Sequence, residues 1–328
     1  MARHYIGVMG AIAAALLLPL SAGMAHAQDA YPNKPVKLIV PFTPGTGIDI
    51  LARTLGQKMG DDWKEAVVVE NKPGASGNIG TAAVANSPPD GYTLLVTAST
   101  IVLNRSLFVS IPYDPIKDFA PVAPLAIGQL ALVVNPSVKA KTVAEFIALA
   151  KEHPGAMSYG SPGNGTPHHL AMELFKAKTG IVLLHIPYKG TAGATQDLLG
   201  GQINAMFLPV HVALPLVSAG KLNMLAAGGT KRSAVTPDVP SLAEATGLRD
   251  IDTDIWYGLY APIRTPAAVI DKLNNTLNKL LRSPEIADTL QKQGLVPTGG
   301  TPGQLGDITR TDLERWAKVV QDAKIQPD

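Results

Sequence analysis

The sequence predicts an α/β fold with mainly parallel sheets, on three observations. Apolar runs rich in β-branched residues alternate along the chain with stretches of helical periodicity. Several of the helical stretches open on proline directly after a hydroxyl residue, at Thr166-Pro167, Thr265-Pro266, Ser283-Pro284 and Thr301-Pro302. A proline there loses no helical hydrogen bond, and the residue before it can cap the helix. Finally, 31 glycines and 27 prolines against 5% aromatic residues suit many short turns between strands and helices.

The first 27 residues stand apart from this pattern. Arg3 precedes an apolar run, Ile6 to Leu20, interrupted by two glycines and Pro19, and Ala25-His26-Ala27 reads as a small-x-small cleavage site before Gln28. The stretch predicts a secretory signal peptide, being shorter than the roughly 20 residues that span a bilayer. The rest, about 300 residues, is long enough for two domains of ordinary size. It contains no cysteine, so neither a disulfide nor a lipid-attached thiol supports the fold. Removing Arg3 lowers the formal charge from +2 to +1, with no basic stripe, which argues against a nucleic-acid partner.

Strands are expected at Val36 to Val40, Ala66 to Val69, Tyr92 to Thr97, Leu130 to Val134, Ile181 to Ile186, Ile203 to Leu208, Leu222 to Ala227 and Tyr257 to Ala261. Helices are expected at Ile48 to Met59, Val143 to Lys151, Pro167 to Lys178, Ala192 to Leu199, Pro266 to Leu281, Pro284 to Gln293 and Pro302 to Ala323. In the first helix, Ile48, Leu51, Ala52, Leu55 and Met59 recur on one face. A further helix begins near Asn78.

Ligands of open α/β sheets bind beyond the carboxyl ends of the strands, so the loops there matter most. Four are glycine turns that lead from a strand into a helix: Pro41 to Asp49, Glu70 to Gly80, Ser161 to His169 and Pro187 to Gly193. Such junctions aim unpaired amides at an anion. The first also invites a dinucleotide reading, with Gly45-Thr46-Gly47 after a strand and Glu70 ending the next one. That reading fails at Ile50, which stands where the third fingerprint glycine allows close helix packing, and at Pro41 and Pro44, which stiffen the turn.

Catalytic patterns are weak: no GxSxG elbow, HExxH helix, P-loop or cysteine centre is present. His168 and His169 are adjacent, so on a helix they point about 100° apart and do not chelate one metal. His153 and His185 read as structural. His211 lies at a strand exit, where it can donate to a carboxylate. Asp49, in the first turn of its helix, gains from the macrodipole.

A series of motifs then carries a resemblance. It includes Tyr31 to Pro35, the loop Pro41 to Asp49, Val67 to Gly74, Gly77 to Gly80, Pro89 to Leu95, Tyr113 to Pro121, Ser161 to Thr166, His185 to Gly190, Asp197 to Gln202 and Trp256 to Leu259. Together they resemble the Bug family, the extracytoplasmic receptors of tripartite tricarboxylate transporters. The resemblance implies a two-lobed periplasmic-binding-protein fold of the Venus-flytrap, type II-like kind, with no cofactor and no catalysis. One lobe would hold residues 28–127 and 256–328 and the other residues 128–255. The protein would be a periplasmic monomer that passes a small carboxylate, whether dicarboxylate, tricarboxylate or aromatic, to a two-component permease. A carboxylate sensor on a membrane kinase, or an exported enzyme, are the alternatives.

The candidate ligand contacts are Thr43, Gly45, Thr46, Gly47 and Asp49 in the first loop, Ser76 and Gly77 in the second, and Thr97 and Ser99 after the strand from Tyr92. Across the cleft they are Ser161, Asn164, Gly165, Thr166, Lys189, Gly190 and His211. Two features depart from the family pattern. Thr46 and Ile48 replace a glycine and a threonine in the first loop, and Leu208-Pro209-Val210 gives a less polar wall before His211, one suited to an aromatic or longer aliphatic carboxylate.

Overall fold

The structure, a computed structural model, describes residues 31–322 and residue 325. The expected signal peptide lies outside the described residues. The chain order is β1 (Val36–Val40), α1 (Gly47–Trp63), β2 (Val67–Asn71), a 3-10 turn (Ala75–Gly77), α2 (Asn78–Ala85), β3 (Thr93–Ala98), α3 (Thr100–Leu107), β4 (Phe119–Gly128) and β5 (Leu130–Val134). It continues through α4 (Val143–Glu152), β6 (Ser158–Ser161), α5 (Pro167–Thr179), β7 (Leu184–Pro187), α6 (Thr191–Leu199), β8 (Ala205–Pro209), α7 (Val210–Ser218), β9 (Asn223–Ala227) and α8 (Leu242–Thr246). The chain ends with β10 (Ile255–Pro262), α9 (Ala267–Leu281), α10 (Pro284–Gln291), β11 (Leu295–Pro297) and α11 (Pro302–Asp322).

These elements build two sheets. One has the order β11-β4-β10-β3-β1-β2 and the other β7-β6-β8-β5-β9. In the first, β1 to β4 run one way and β10 and β11 the other; in the second, only β5 opposes its neighbours. The strands therefore mostly share a direction, and most of those that reverse it adjoin the crossings between sheets. The chain passes from the first sheet to the second at Gln129 and returns between Ala227 and Ile255. This is the two-lobed α/β architecture expected.

Local chemistry explains the framework. The apolar stripe of α1, Ile48, Leu51, Ala52, Leu55 and Met59, is buried, and α1 approaches the sheet closely at Gly56. A methyl group on Gly56 would lie 3.3 Å from both Leu38 and Val67. Thr142, Thr166 and Ser241 cap α4, α5 and α8 through their side chains, Ser241 in a full capping box with Glu244.

Three strands differ from expectation. β4 was not anticipated because Pro121 and Pro124 lack the amide that an interior strand donates. The structure resolves the conflict with two bulges, whose extra residues are Val122 and Leu125. The freed carbonyls find other partners: Val122 O accepts from the Asn274 side chain at 2.8 Å, and Leu125 O from the Thr298 N–H at 3.1 Å. β6 is short and contains Gly160, where a methyl group would strike Ile203 at 2.4 Å. β11 is a three-residue edge strand. Likewise the apolar Val210 to Ser218 forms a helix despite Pro215, and Thr100 to Leu107 does so despite its β-branched residues.

Candidate functional site

The first loop leaves β1 at Val40 and turns through Gly45, whose φ of +81° suits glycine. The structure moves Asp49 from contact to scaffold. Its carboxylate is buried and accepts from the Gly45 N–H at 2.9 Å, from Arg53 Nε at 3.1 Å with both oxygens, and from Asn71 Nδ2 at 2.9 Å. Burial alone would raise its pKa, but the Arg53, Gly45 and Asn71 hydrogen bonds and the Arg53 charge together hold it below the ordinary carboxylate value. The Gly45 amide is thus spent on Asp49. Thr46 is committed too, its hydroxyl donating to Thr43 O at 3.0 Å. The amides of Gly47, Ile48 and Asp49 precede the first internal bond of α1, from Ile50 N–H to Thr46 O at 3.0 Å.

The second loop is packed against the first. Ala75 and Ser76 adopt left-handed φ values of 45° and 52°, a conformation costing on the order of 1–3 kcal/mol at each non-glycine residue. The cost is met by a buried network: Asn104 Nδ2 donates to Ser76 O at 2.9 Å and to Asn78 Oδ1 at 2.7 Å, and the Tyr113 hydroxyl donates to Asn78 Oδ1 at 2.9 Å. Gly77 is a packing residue as much as an amide source, since a methyl group there would sit 3.2 Å from the Phe42 ring. Thr97 pairs with Gly258, whose Cβ direction meets Leu305 of α11 at 2.8 Å. Its hydroxyl therefore lies on the helix-covered face of the sheet and not at the open strand end. Ser99 is buried at the N-cap position of α3 without a capping side-chain bond, its N–H donating to Trp256 O at 3.1 Å.

Across the cleft, two hydroxyls expected at the ligand turn inward. Ser161 Oγ lies 2.7 Å from His185 Nε2 and donates to Gly163 O at 3.0 Å. Thr166 Oγ1 accepts from the His169 N–H and donates to Gly163 O at 2.8 Å. The Gly165 N–H is taken by His169 Nδ1 at 3.1 Å. Lys189 is exposed, and Gly190 begins α6 with a φ of +150°. The Ser161 and His185 pair is not a nucleophile with its base. Ser161 is wholly buried, and burial, then His169 and Lys176, push His185 down to about 3.

The two sheets meet at this cleft. Ser76 Oγ donates to Asn164 O at 3.3 Å, and Gly165 faces Leu107 so closely that a methyl group would lie 3.0 Å from it. A methyl group on Gly47 would lie 3.4 Å from the Tyr257 hydroxyl, 3.8 Å from His211 Cε1 and 3.8 Å from Leu295. The first turn of α1 in one sheet's layer thus faces the first turn of α7 in the other's. Burial lowers the His211 pKa, and burial with the nearby charge of His211 lowers that of His168 to about 4. The structure therefore groups Gly47, His211, Tyr257 and His168. Gly47 and His211 are among the contacts expected from the sequence. His168, which the sequence shows only to be unsuited to share a metal with His169, stands in the first turn of α5 behind the Thr166 cap and Pro167, with both ring nitrogens buried and without a hydrogen-bond partner. Among the described residues, no cluster of three metal-ligating side chains occurs, and no helix is long and apolar enough to cross a membrane.

Comparison with known proteins agrees with this architecture. Residues 51–325 match the family described as "Tripartite tricarboxylate transporter family receptor". Protein BugT of Bordetella pertussis is 37% identical over 306 residues, covering 92% of this chain and 94% of BugT. The R. palustris protein Rpa4515, solved with adipate, superposes with a TM-score of 0.85 at 33% identity, covering 91% of this chain and all of that one. MatC from Rhodopseudomonas palustris, solved with bound malate, gives 0.79 at 28% identity, covering 88% of this chain and all of MatC. The chain belongs to the tripartite tricarboxylate transporter receptor family, the solute-binding proteins that include the Bug proteins.

Proposed function

We propose that this protein is a periplasmic receptor that captures a small carboxylate and delivers it to a two-component permease. In this reading the first 27 residues are a cleaved signal peptide, and the mature protein works as a monomer. Residues 28–127 with 256–328 form one lobe, residues 128–255 form the other, and the ligand sits between them. The observation that carries it is the meeting of the α1 and α7 first turns at Gly47 and His211. Each helix end offers unpaired amides and a partial positive charge, and the two come from different sheets. Adipate and malate, with which two structural relatives were solved, support a carboxylate as the chemical class.

In the site as built, backbone amides of Gly47 and Ile48 receive one end of the ligand, with the His211 ring beside them. Asp49 and Thr46 hold the loop that presents those amides, and Ser161 and Thr166 brace the loop across the cleft. Hydrogen bonds to a charged group contribute roughly 1.5–3 kcal/mol each. Four or five of them, less the ordering cost, reach the −8.2 kcal/mol of a micromolar constant.

A thermal-shift screen with C4 to C8 aliphatic, aromatic and hydroxylated carboxylates tests the reading. Ligand at 100 times its dissociation constant adds about 2.7 kcal/mol, or about 4 °C for a chain of this size. A shift with one or more carboxylates, the ligand being recovered unchanged, is expected. Unchanged melting with every carboxylate would refute the receptor reading, and accumulation of product would make the protein an enzyme.

A further inference from the structure

Tyr257 reaches the cleft from an element that strand exits do not reveal. It is the third residue of β10, paired with Ala98 of β3 on one flank and Ala126 of β4 on the other. Because β10 runs antiparallel to both, its amino end lies among the carboxyl ends of β1, β3 and β4, where ligands of such sheets bind. Residues without side chains make the space for its ring. A methyl group on Gly128, which ends β4, would lie 2.8 Å from Tyr257 Cε2 and 2.9 Å from its hydroxyl, and one on Gly47 would lie 3.4 Å from that hydroxyl.

The hydroxyl that arrives at α1 is free to donate. Among the described residues it has no hydrogen-bond partner, and burial alone raises its pKa, so the phenol keeps its proton. Its oxygen is not sealed either, unlike the unpaired oxygens of Thr97, Gln129 and Thr253. Gly47 beside it is half-buried, as is His211 on the far side of Gly47. The surrounding groups are donors or apolar. The amides of Gly47 and Ile48 precede the first internal bond of α1 and have no side-chain cap. Leu295 and the Cε1 edge of His211 offer no acceptor, and the carboxylate of Asp49 is spent on Gly45, Arg53 and Asn71. Two amides and a phenol thus share this turn, and an anionic oxygen from outside the chain would complete all three.

We propose that Tyr257 is a ligand-binding residue whose hydroxyl donates to the same carboxylate that the Gly47 and Ile48 amides receive. This rests on the receptor reading and adds to it a side-chain donor from the sheet. Hydroxyl bonds to a carboxylate are short and stronger than neutral pairs, and a neutral phenol supplies one without placing a cation in the cleft. Tyr257 also stands near the start of the strand that brings the chain back from the second sheet, so the contact ties the ligand to that crossing as well as to α1.

Isothermal titration calorimetry of the native protein and of Tyr257→Phe tests this, with straight-chain C4 to C8 mono- and dicarboxylates, their 2-hydroxy derivatives and benzoate as probes. Phenylalanine keeps the ring and its packing and loses only the hydroxyl. Every acid that binds the native protein should bind the variant about tenfold more weakly or worse, the loss that a hydrogen bond to a charged group implies. The free variant should melt no lower than the native protein, because the hydroxyl has no protein partner to lose. That second readout separates a ligand contact from a structural hydrogen bond, whose removal would lower both. A smaller loss of affinity, or a free variant that melts lower, overturns the proposal and leaves the receptor reading standing. Failure of every acid to bind the native protein overturns both.

Discussion

Replacing Asp254 by Asn is expected to stabilise the protein at pH 8 and to have no effect below about pH 4. Asp254 lies where the chain returns to the first sheet, one residue before β10, and its Oδ1 accepts from the Gly229 N–H at 3.0 Å. Burial, then the negative charge of Asp252, raise its carboxyl to about 7, against the opposing hydrogen bonds from Gly229 and Gln129. Between the ordinary value of 3.8 and about 7, the folded chain therefore keeps a proton that the unfolded chain has released. Stability is fully present below that window, falls as pH rises through it and levels off above. Three units at about 1.36 kcal/mol each come to about 4 kcal/mol. Asn retains the acceptor for Gly229 and has no charge to bury, so at pH 8 its gain corresponds to about 6 °C in melting temperature. Thermal melts of both proteins at pH 4, 6 and 8 measure this directly. A difference that is independent of pH, or absent at pH 8, would refute the account of Asp254 as a buried, destabilising carboxylate.

Three other substitutions test the site and its supports. Gly47→Val adds methyl groups beyond a point already 3.4 Å from the Tyr257 hydroxyl, so it should erase the ligand-induced shift of about 4 °C in a thermal-shift assay while the free protein still folds; a preserved shift would place the site elsewhere. Asp49→Ala strands the Gly45 N–H, Arg53 and Asn71, with an expected loss of about 2 kcal/mol in urea unfolding at pH 7. Because the pKa of Asp49 is lowered in the folded state, that gap should close as pH falls below 3.8 through the folded value. Asn104→Ala removes the donor to Ser76 O and Asn78 Oδ1, and should cost about 1–3 kcal/mol while loosening the second loop, read by amide hydrogen exchange at residues 75–78.

Much of the fold was legible because its signals are local. The helical stripe from Ile48 to Met59, the hydroxyl-proline starts and the β-branched strands each constrain a few consecutive residues, and tertiary packing agrees with them. β4 was not, because its two prolines are acceptable only through bulges whose carbonyls are satisfied by Asn274 and Thr298, more than 150 residues away in the chain. The site divides the same way. Glycine turns that lead into helices could be read from sequence, and so could His211 at a strand exit. Which polar groups are spent could not. Asp49, Thr46, Ser161 and Thr166 look like ligand contacts as residue types, yet each is occupied by a partner that only the folded loop supplies. His168 shows the converse. Adjacency to His169 decides only whether the two bind a metal, and its orphaned nitrogens become visible once the neighbouring elements surround it.

The polar contact between Ser76 Oγ and Asn164 O is long at 3.3 Å, and a neutral hydrogen bond nets about 1 kcal/mol. The Gly165 and Leu107 contact adds a small apolar patch. Moving a two-state receptor from 1:99 to 99:1 takes about 5.5 kcal/mol of differential affinity, which contacts of this size do not supply. On the receptor reading, the difference comes from a ligand that bridges the first turns of α1 and α7, since an open cleft offers each end only half of its donors. The protein-protein contacts then set the register of closure, and the anion supplies its driving force. Ser76→Ala should accordingly leave ligand affinity within about fivefold, whereas blocking Gly47 should abolish it. Equal losses from the two changes in a calorimetric titration would mean that the lobe contacts, and not the ligand, hold the cleft shut.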